Sequence, residues 1–422
     1  MKFSPSVVEH CRRQFPALSR RLAVPGAPDQ PAVFFDGPGG TQTPQRVIDA
    51  ISHYLAHTNA NHGGLFATSL ASDRLLAEAH QGLADFLGAA DPRTIVFGQN
   101  MTSLTFALSR SLARTWQSGD EIIVTRLDHD ANVSPWVLAA RDAGATVRFV
   151  PINAEDCTLN LAALRELLNR RTRLVAVGCA SNATGTLNPV RDIADWAHQV
   201  GALVYLDAVH YAPHILPDVQ ALGCDFLACS AYKFFGPHLG ILWGKSELLE
   251  QLDAYKVRPA PSTLPDKWMT GTQSHEAIAG ALAAVEYLAE LGRTLAGDDS
   301  LGRRAALREA YREIALYEHS LLTRLLAGLD KLPAIKVWGI TSPARLADRV
   351  ATVSFTHERF TATQMAEQLG RAGFFTWHGN YYALNLTESL GLEPEGMLRV
   401  GLVHYNTQLE VERFLEVLHS LR

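Results

Sequence analysis

Two side chains in the middle of the chain place a carboxylate and a primary amine at the ends of neighbouring predicted strands. Asp207 closes a predicted strand over residues 202–207, and Lys233 follows the next predicted strand, residues 225–229, by four positions. In an open α/β sheet, ligands bind beyond the carboxyl ends of the strands. A lysine there can form a Schiff base with an aldehyde, and a carboxylate can keep a pyridine nitrogen protonated. The pair therefore predicts a site for pyridoxal 5'-phosphate (PLP), whose ring accepts electrons from a substrate carbanion.

Each of these residues also has an ordinary structural explanation. Taken alone, Asp207 is equally typical of a helix cap or a turn, and Lys233 of a solvated surface. His210 and His214 have the spacing of metal ligands on a helix, but Pro213 disfavours a regular helix there, and we predict no metal site. The combination with other residues at predicted strand ends is what favours a cofactor site. Those residues are Met101, Thr102, His129, Asn182, His210, Ser230 and Tyr232.

The elements that position these residues alternate between residues 43 and 242. Short runs rich in β-branched residues predict seven strands, separated by segments with helical periodicity. Several strands are apolar on both faces, which is typical of a mostly parallel sheet buried between helices. The predicted strands cover residues 94–97, 121–125, 147–151, 174–179, 202–207, 225–229 and 240–243.

Beyond the last of these strands the pattern changes. A proline-rich passage over residues 256–266 predicts a long loop, and a helix is expected from about residue 274 to residue 291. The remainder predicts an α+β unit whose last helix begins with a capping box, Thr407-x-x-Glu410.

These patterns predict an α/β fold class with two domains. A large domain over residues 31–290 carries the seven-stranded mostly parallel sheet, and a smaller C-terminal α+β domain covers residues 291–422. We expect residues 1–30 to form an N-terminal segment that packs on the small domain.

Composition excludes several classes of protein. The 422 residues are 47% hydrophobic and 19% charged, as in ordinary globular proteins, and the net charge of −5 argues against nucleic acid or an anionic membrane as a partner. No uninterrupted apolar stretch reaches the roughly 18 residues of a transmembrane helix, and the N-terminus has no apolar signal segment, so we expect a cytoplasmic protein. The five cysteines include no Cys-x-x-Cys pair and predict buried free thiols.

Six stretches extend the site pattern over nearly the whole chain. They are DHDANVSPW (128–136), SNATGTLNPV (181–190), VYLDAVHYAPH (204–214), CDFLACSAYKFFGPHLGILW (224–243), MTGTQS (269–274) and LRVGLVHYNT (398–407). In these stretches the chain resembles the class V aminotransferase superfamily of fold-type I PLP-dependent transferases. The resemblance is strongest to cysteine desulfurases and selenocysteine lyases, and it implies PLP as the cofactor.

The resemblance implies roles for the residues around the cofactor ring. Lys233 forms the Schiff base and later moves the substrate α-proton, so it is expected to be catalytic. Asp207 pairs with the pyridine nitrogen, and His129, the second residue expected to be catalytic, stacks on the ring face. Asn182 lies near the ring hydroxyl, and His210, where the family usually has glutamine, is expected to reach the same hydroxyl.

The resemblance also implies how the phosphate is held. Thr102 and Ser230 bind it, together with Tyr232, which replaces the family's usual histidine. Gly271 and Thr272 resemble a segment that reaches the phosphate of the neighbouring subunit. We therefore expect a homodimer with shared active sites.

The substrate side departs from the family at several positions. Arg399 resembles the arginine that holds the substrate α-carboxylate. A desulfurase needs a loop cysteine whose thiolate attacks the substrate sulfur. The matching segment here, residues 377–383, reads WHGNYYA, with Tyr382 at the cysteine position and Trp377 in place of an arginine. His62 begins the sequence HGG where the family has His-Arg-Gly. We expect these four residues to contact an amino-acid substrate with a larger or less acidic side chain.

The expected activity follows from an intact cofactor site and a changed substrate side. We expect a PLP-dependent lyase or transferase acting on a small-molecule α-amino acid, without a persulfide-forming cysteine. β-Elimination from a cysteine derivative is the preferred hypothesis. The alternatives are an aminotransferase or an epimerase of the same superfamily, a desulfurase that uses another nucleophile, and a non-catalytic PLP-binding protein. The intact set of Lys233, Asp207, His129 and Arg399 argues against the last of these.

Overall fold

A computed structural model of the chain describes residues 3–19, 21 and 31–421. Its helices are α1 (Pro5–Arg13), α2 (Gln45–His53), α3 (Ala67–Leu87), α4 (Met101–Ala113), α5 (Ser134–Ala143), α6 (Leu161–Leu167), α7 (Val190–Gln199), α8 (Val219–Leu222), α9 (Ser246–Gln251), α10 (His275–Ala296), α11 (Arg303–Leu329), α12 (Ala362–Arg371), α13 (Leu384–Ser389) and α14 (Gln408–Ser420). Its strands are β1 (Val33–Phe34), β2 (Ile95–Gly98), β3 (Glu121–Thr125), β4 (Thr146–Val150), β5 (Ile152–Asn153), β6 (Thr158–Leu159), β7 (Thr172–Gly178), β8 (Leu203–Asp207), β9 (Phe226–Ser230), β10 (Gly240–Gly244), β11 (Ile335–Trp338), β12 (Thr352–His357), β13 (Phe374–Phe375), β14 (Trp377–Gly379) and β15 (Met397–Gly401).

The large sheet has seven strands in the order β2-β10-β9-β8-β7-β3-β4. Strand β10 is antiparallel to both of its neighbours, and the pairs from β9 to β4 are parallel. The predicted seven-stranded mostly parallel sheet is confirmed, and each strand begins and ends within two residues of its predicted range.

Side chains of this sheet alternate between two buried faces. Ile122 and Val124 of β3 belong to one hydrophobic cluster, and Ile123 between them belongs to the other. Strand β8 alternates in the same way at Val204 and Tyr205. Both clusters are out of contact with water, which explains why the sequence of these strands is apolar on both faces.

The C-terminal part contains an antiparallel sheet in the order β11-β12-β15-β14, with α12 packed against it. Helix α14 begins with the predicted capping box. The Glu410 N–H donates to Thr407 Oγ1 at 3.1 Å, and the Thr407 N–H donates to Glu410 Oε2 at 2.8 Å. The predicted α+β character of this part is confirmed.

Helix α10 is longer than its sequence indicates. The expected end at residue 291 is wrong, because the helix continues to Ala296 and ends at Gly297 in the left-handed conformation. Gly292, which resembles a helix terminator, instead lies against α11, and a Cβ there would overlap the Ala306 carbonyl oxygen. The proposed domain boundary at residue 290 stays a prediction, and it falls inside α10.

Helix α1 contacts the C-terminal part of the chain. Arg12 pairs with Glu410 at 2.9 Å and donates to the Tyr405 carbonyl oxygen at 2.6 Å. Phe3 stacks on Tyr317 of α11 with ring centres 5.0 Å apart. Residues 1, 2, 20 and 22–30 of the predicted N-terminal segment lie outside the described residues.

Candidate active site

The carboxyl edge of the large sheet brings several predicted cofactor residues together. Asp207 is the last residue of β8, and Ser230 is the last residue of β9. Lys233 closes a short 3₁₀ turn, Ala231–Lys233, directly after β9. Because β8 and β9 are parallel neighbours, the carboxylate and the amine leave the sheet at the same edge, and both are buried.

The Lys233 amine is held by the segment that contains Pro38. Its Nζ donates to the Pro38 carbonyl oxygen and lies 5.0 Å from the centre of the Tyr232 ring. Burial, helped by the Arg399 cation and opposed by Asp207, lowers the pKa of Lys233 to about 7. A neutral amine, the nucleophilic form, is therefore available near neutral pH.

Asp207 and a second carboxyl group lie side by side at this edge. Burial raises the pKa of Asp207 to about 6, although the Val209 N–H donates to its Oδ1 at 2.8 Å. Burial and the neighbouring Asp207 raise the pKa of Asp128, which accepts the Gly178 N–H at 2.7 Å, to about 8. At neutral pH Asp128 is therefore mainly protonated, and Asp207 is the anion of the pair.

His129 lies between the sheet edge and the loop that follows β14. Its Nδ1 accepts the Ala131 N–H at 3.0 Å, so the neutral ring carries its proton on Nε2. Burial and the Lys233 cation lower the pKa of His129 to about 4. The Tyr382 ring stacks on His129 with centres 5.3 Å apart, and the Asp130 N–H donates to the Tyr382 carbonyl oxygen at 2.7 Å. The side chain of Tyr382 is otherwise open to solvent.

The loop reaches His129 through two residues in the left-handed region. Tyr381 has φ 55° and Tyr382 has φ 61°, a conformation that costs roughly 1–2 kcal/mol for each non-glycine residue. Two hydrogen bonds of Tyr381 hold the loop there: its carbonyl oxygen accepts from Asn182 Nδ2 at 2.9 Å, and its hydroxyl donates to the Met397 carbonyl oxygen. This strained backbone conformation, held by the two hydrogen bonds, places the Tyr382 ring over His129.

Arg399 in β15 is a buried cation that lacks a carboxylate partner among the described residues. Its Nη1 donates to the Asn182 carbonyl oxygen at 2.8 Å, and its guanidinium lies 4.1 Å from the centre of the Tyr381 ring. Burial lowers the pKa of Arg399 to about 10, although Tyr381 and Asp36 oppose the shift. A buried guanidinium of this kind calls for an anionic ligand.

The N-terminus of α4 lies beside Ser230 and forms a corner of the predicted phosphate site. The Met101 N–H donates to Ser230 Oγ at 3.0 Å, while the Thr102 N–H has no partner among the described residues. The helix begins so close to β10 that a Cβ at Gly240 would overlap the backbone of Asn100. Helix N-termini bind phosphate through such free N–H groups, as predicted for this corner.

Two further predicted residues border the site. The Tyr232 ring stacks on His238, with centres 4.8 Å apart and an interplanar angle of 17°. Trp377 lies against Gly39, where a Cβ would overlap the indole ring, and it stays half exposed. The chain from Gly39 back to Pro38 therefore separates the indole from the Lys233 amine.

Three predicted residues do not join this cluster within one chain. Gly271 and Thr272 are exposed on the loop before α10, and neither forms a hydrogen bond with the residues around Lys233. His62 instead lies near residues of α3 and α10: its Nδ1 is 3.9 Å from Asp73 Oδ1, and its ring centre is 6.0 Å from that of His275. The roles of Gly271 and Thr272 at the phosphate of a neighbouring subunit, and of His62 as a substrate contact, stay predictions.

None of the five cysteines is suited to nucleophilic attack. Cys11, Cys157, Cys179, Cys224 and Cys229 are all buried and free, as predicted. Burial raises the pKa of each thiol above its usual range. A thiol in such surroundings stays protonated and inert.

The described residues contain neither a cluster of metal-binding side chains nor a membrane-spanning helix. No group of three or more histidine, cysteine, aspartate or glutamate side chains is arranged to hold a metal ion. Nor does any described helix have the length and hydropathy needed to cross a membrane. The cytoplasmic location stays a prediction.

Comparison with known proteins identifies the family. The model of the class V aminotransferases matches residues 33–414. The chain belongs to the class V aminotransferase family. It is 34% identical to the aminotransferase-like protein FGM3 of Gibberella zeae over the whole of both chains. It is 31% identical to a cysteine desulfurase of Synechococcus elongatus, with 98% of this chain matched and 64% of that protein's length spanned.

A solved structure agrees with the sequence comparisons. The apo structure of the cysteine desulfurase from Thermococcus onnurineus NA1 has a TM-score of 0.85 at 25% identity, covering 97% of this chain and 96% of that one. The fold is therefore that of the fold-type I PLP-dependent transferases, and the class V chain is a PLP-dependent enzyme.

The residues at the sheet edge fit PLP, the cofactor of class V aminotransferases. Buried atoms without partners, Asn182 Oδ1, His210 Nδ1 and Arg399 Nε, line this edge. A protonated pyridine nitrogen would offset the cost of burying the Asp207 anion. The free N–H at the start of α4 suits a phosphate, and Lys233 would supply the amine for the aldehyde.

Sequence reasoning missed two residues that shape the class V site. The Pro38 carbonyl oxygen accepts a hydrogen bond from Lys233 Nζ, and Asp36 is a buried carboxyl group with an unpartnered Oδ1 near Arg399. Both belong to the run Asp36–Gly40, which follows β1. A cluster of small residues between β1 and α2 was the available signal, because it permits close approach to a ligand site.

The lowered pKa of Lys233 leads to a pH prediction. Since only the neutral amine attacks an aldehyde, we expect the rate of PLP capture by the apoenzyme to rise through about pH 7, well below the 10.5 of ordinary lysine. Stopped-flow absorbance at constant ionic strength measures this rate. Asp207→Asn removes a charge that raises the pKa of Lys233, so the midpoint should fall further. A rate that still rises between pH 9 and 11 would contradict the assigned environment.

Proposed function

We propose that the chain is a PLP-dependent lyase that eliminates a sulfur leaving group from the β-carbon of a cysteine derivative. The observation that carries this proposal is Tyr382, whose exposed ring stacks on His129 at the position where a desulfurase carries its nucleophilic cysteine. The five cysteines of the chain are buried and have raised pKa values. The site therefore has the groups for α-proton removal and no thiolate to accept sulfur.

The chain's own residues divide the work between binding and proton transfer. When bound, PLP supplies a ring that withdraws electrons from the substrate α-carbon. Asp207 holds a proton on the pyridine nitrogen, and Arg399 binds the substrate α-carboxylate. Lys233 Nζ takes the α-proton, for which it needs the neutral form that burial favours.

Loss of the α-proton is coupled to cleavage of the bond between the β-carbon and sulfur. The electron pair of the C–H bond becomes a carbon–carbon double bond, and the sulfur leaves as a thiolate that takes up one proton. The β-carbon then takes up a proton, which converts the enamine product to an imine, and water hydrolyses the carbon–nitrogen double bond to a keto group and ammonium. The balanced products are a thiol, pyruvate and ammonium, with no oxidant or reductant needed.

The aromatic groups at the entrance favour a larger substrate side chain than that of cysteine. Trp377 and Tyr382 are half exposed or more, and Tyr381 lies under Arg399. Aromatic faces bind apolar or flat groups better than they bind small anions. We therefore propose an S-substituted cysteine whose substituent contacts Trp377 and Tyr382.

Product identification tests the proposal. The purified PLP-loaded enzyme is incubated with L-cysteine and a series of S-substituted cysteines, and the products are analysed by mass spectrometry. Equal amounts of pyruvate, ammonium and thiol support β-elimination. Alanine with released sulfur would instead mean desulfuration and would overturn the assignment of Tyr382.

A second candidate reaction is transamination. The observation in its favour is the relative with 34% identity, which is called aminotransferase-like. A keto acid formed in a 1:1 ratio with enzyme, and sustained turnover only when a second keto acid is added, would identify transamination. Exchange of the α-hydrogen with inverted configuration and no other product would identify an epimerase.

Removal of the Tyr382 hydroxyl tests whether this group protonates the leaving thiolate. Tyr382→Phe keeps the ring that stacks on His129, so we expect substrate KM to change little and kcat to fall about 10- to 100-fold. The loss should be largest for substrates with basic leaving groups, which need the proton most. Steady-state kinetics with a series of leaving groups measures this dependence. Unchanged kcat for all substrates would limit Tyr382 to a packing role.

We also propose that two copies assemble with shared active sites. Helices α2 and α3 and the loop between them expose a group of large apolar side chains. These are Ile48, Leu55, Leu65, Phe66 and Leu70. Burying them against a second copy would remove apolar area from water and would bring the exposed Gly271 and Thr272 to a partner. Light scattering is expected to give twice the mass of the chain, and a monomer at working concentration would contradict the proposal.

A further inference from the structure

A buried histidine and glutamate pair lies behind the predicted cofactor residue His210. His214 Nδ1 and Glu318 Oε2 are 2.7 Å apart, and both side chains are 4% exposed. The His214 ring packs edge-on against His210, with ring centres 5.3 Å apart and an interplanar angle of 73°. His214 thus contacts both the glutamate of α11 and the histidine at the sheet edge.

His210 itself is held on one side only. Its Nε2 is 2.9 Å from Thr352 Oγ1 of β12, and its Nδ1 is buried without a hydrogen-bond partner. Buried polar nitrogens are almost always paired in native proteins. His210 is three residues after Asp207, so it lies at the edge of the sheet where the cofactor ring is expected.

We propose that His214 and Glu318 are positioning residues, which fix the His210 ring so that its Nδ1 meets the ring oxygen of bound PLP. This inference depends on the PLP site and is independent of the reaction proposed above. The Glu318 carboxylate fixes the orientation of the His214 ring, and the His210 ring packs against that ring. Thr352 holds the opposite edge of His210.

The charges around His210 favour a neutral ring. Burial and the nearby His214, Lys233 and Arg399 lower the pKa of His210 well below its ordinary value. A neutral imidazole has one N–H. When the Thr352 hydroxyl donates to Nε2, that N–H lies on Nδ1 and can donate to the ring oxygen of the cofactor.

The arrangement couples the cofactor to the C-terminal part of the chain. Glu318 lies on α11 and Thr352 on β12, while His210 and His214 follow β8 of the large sheet. The family resemblance implies that His210 lies near the ring hydroxyl, whereas no sequence pattern indicates Glu318, which is 104 positions from His214. The proposed hydrogen bond from His210 to the ring oxygen of PLP thus depends on how the large sheet and the C-terminal part of the chain pack together.

The dissociation constant of PLP tests the inference without any turnover. The variant His214→Leu/Glu318→Leu removes both members of the pair, so that no unpaired buried charge destabilises the fold. We expect it to bind PLP about tenfold more weakly than the wild type, measured by fluorescence titration of the apoenzyme. In a His210→Gln background, where the ring that the pair positions is absent, the same double change should alter affinity less than about twofold.

Two outcomes would overturn the inference. One is wild-type affinity in the folded double variant, and the other is an equal loss of affinity in both backgrounds, which a merely structural role predicts. If the double variant does not fold, His214→Gln replaces it, because glutamine keeps a donor for Glu318 but lacks the ring. The same tenfold loss, dependent on His210, is then expected, and its absence would overturn the inference.

A matched control separates the effect from general loss of a buried carboxylate. Glu410 is also buried and pairs with Arg12 at 2.9 Å, outside the cofactor site. We expect Glu410→Gln to leave the PLP dissociation constant unchanged within about twofold, whatever it does to thermal stability. The single variant Glu318→Gln keeps a hydrogen-bond acceptor for His214. We expect its affinity for PLP to be much closer to that of the wild type than the affinity of His214→Leu/Glu318→Leu is.

Discussion

Lys233→Ala is expected to lower kcat by about a thousandfold or more, the largest effect of any single substitution in this enzyme. The amine has two functions in the proposed reaction, as the covalent attachment for PLP and as the base for the α-proton. Alanine supplies neither. Phosphate and ring contacts remain, so PLP should still bind, although more weakly.

Steady-state kinetics measures the loss, and mass spectrometry after borohydride reduction tests the attachment. Reduction should add the cofactor mass to wild-type chain at the peptide that contains Lys233 and should add nothing to the variant. Lys267 provides the matched control, because it is also a buried lysine, yet its Nζ donates to the carbonyl oxygens of Leu249 and Glu250 at 3.1 and 2.6 Å. Lys267→Ala should keep kcat within about twofold. Full turnover by Lys233→Ala would refute the assigned role.

Asp207→Asn is expected to lower kcat by about a hundredfold or more while leaving the fold intact. Asparagine has nearly the same shape and can still accept the Val209 N–H, but it carries no charge to keep the pyridine nitrogen protonated. The ring then withdraws electrons from the α-carbon less strongly. Asp207→Glu keeps the charge and should lose less activity than Asp207→Asn.

The stability of the apoenzyme distinguishes this effect from unfolding. Burial raises the pKa of Asp207 from 3.8 to about 6, so the native state binds a proton more tightly than the unfolded chain does. The native-state stability linked to Asp207 is therefore fully present below about pH 4 and is lost as pH rises through about 6. Asparagine removes this penalty, so the Tm of the apo variant at pH 8 should equal or exceed that of the wild type. A clearly lower Tm would mean that the charge stabilises the fold.

Much of the sheet edge could be predicted from the sequence, because its residues are close in sequence to strands with a clear pattern. Asp207, Ser230 and Lys233 follow β8 and β9 at short spacing, and parallel neighbouring strands present their carboxyl ends on one side. The end of α10 was missed for a local reason. A glycine at a helix–helix contact has the same sequence signal as a glycine that ends a helix.

Contacts between distant segments required the tertiary structure. The stacking of Tyr382 on His129 joins residues far apart in the chain and depends on a strained loop conformation that no sequence pattern reports. The carbonyl oxygen of Pro38 holds the Lys233 amine from a segment 195 residues away. Hydrogen bonds of this kind involve backbone atoms, which every residue has, so the residue types carry no signal for them.

The sequence by itself therefore predicted the fold, the cofactor and the two residues proposed to carry the chemistry, from local periodicity, residue type and the resemblance of its motifs to a known family. The tertiary structure decided the environment of those residues. Burial, which depends on the whole packed chain, moves the pKa of Lys233 to about 7, that of His129 to about 4 and that of Asp207 to about 6. It also decided which groups lie behind His210, because Glu318 of α11 reaches His214, and Thr352 of β12 reaches His210, only when these distant segments pack together.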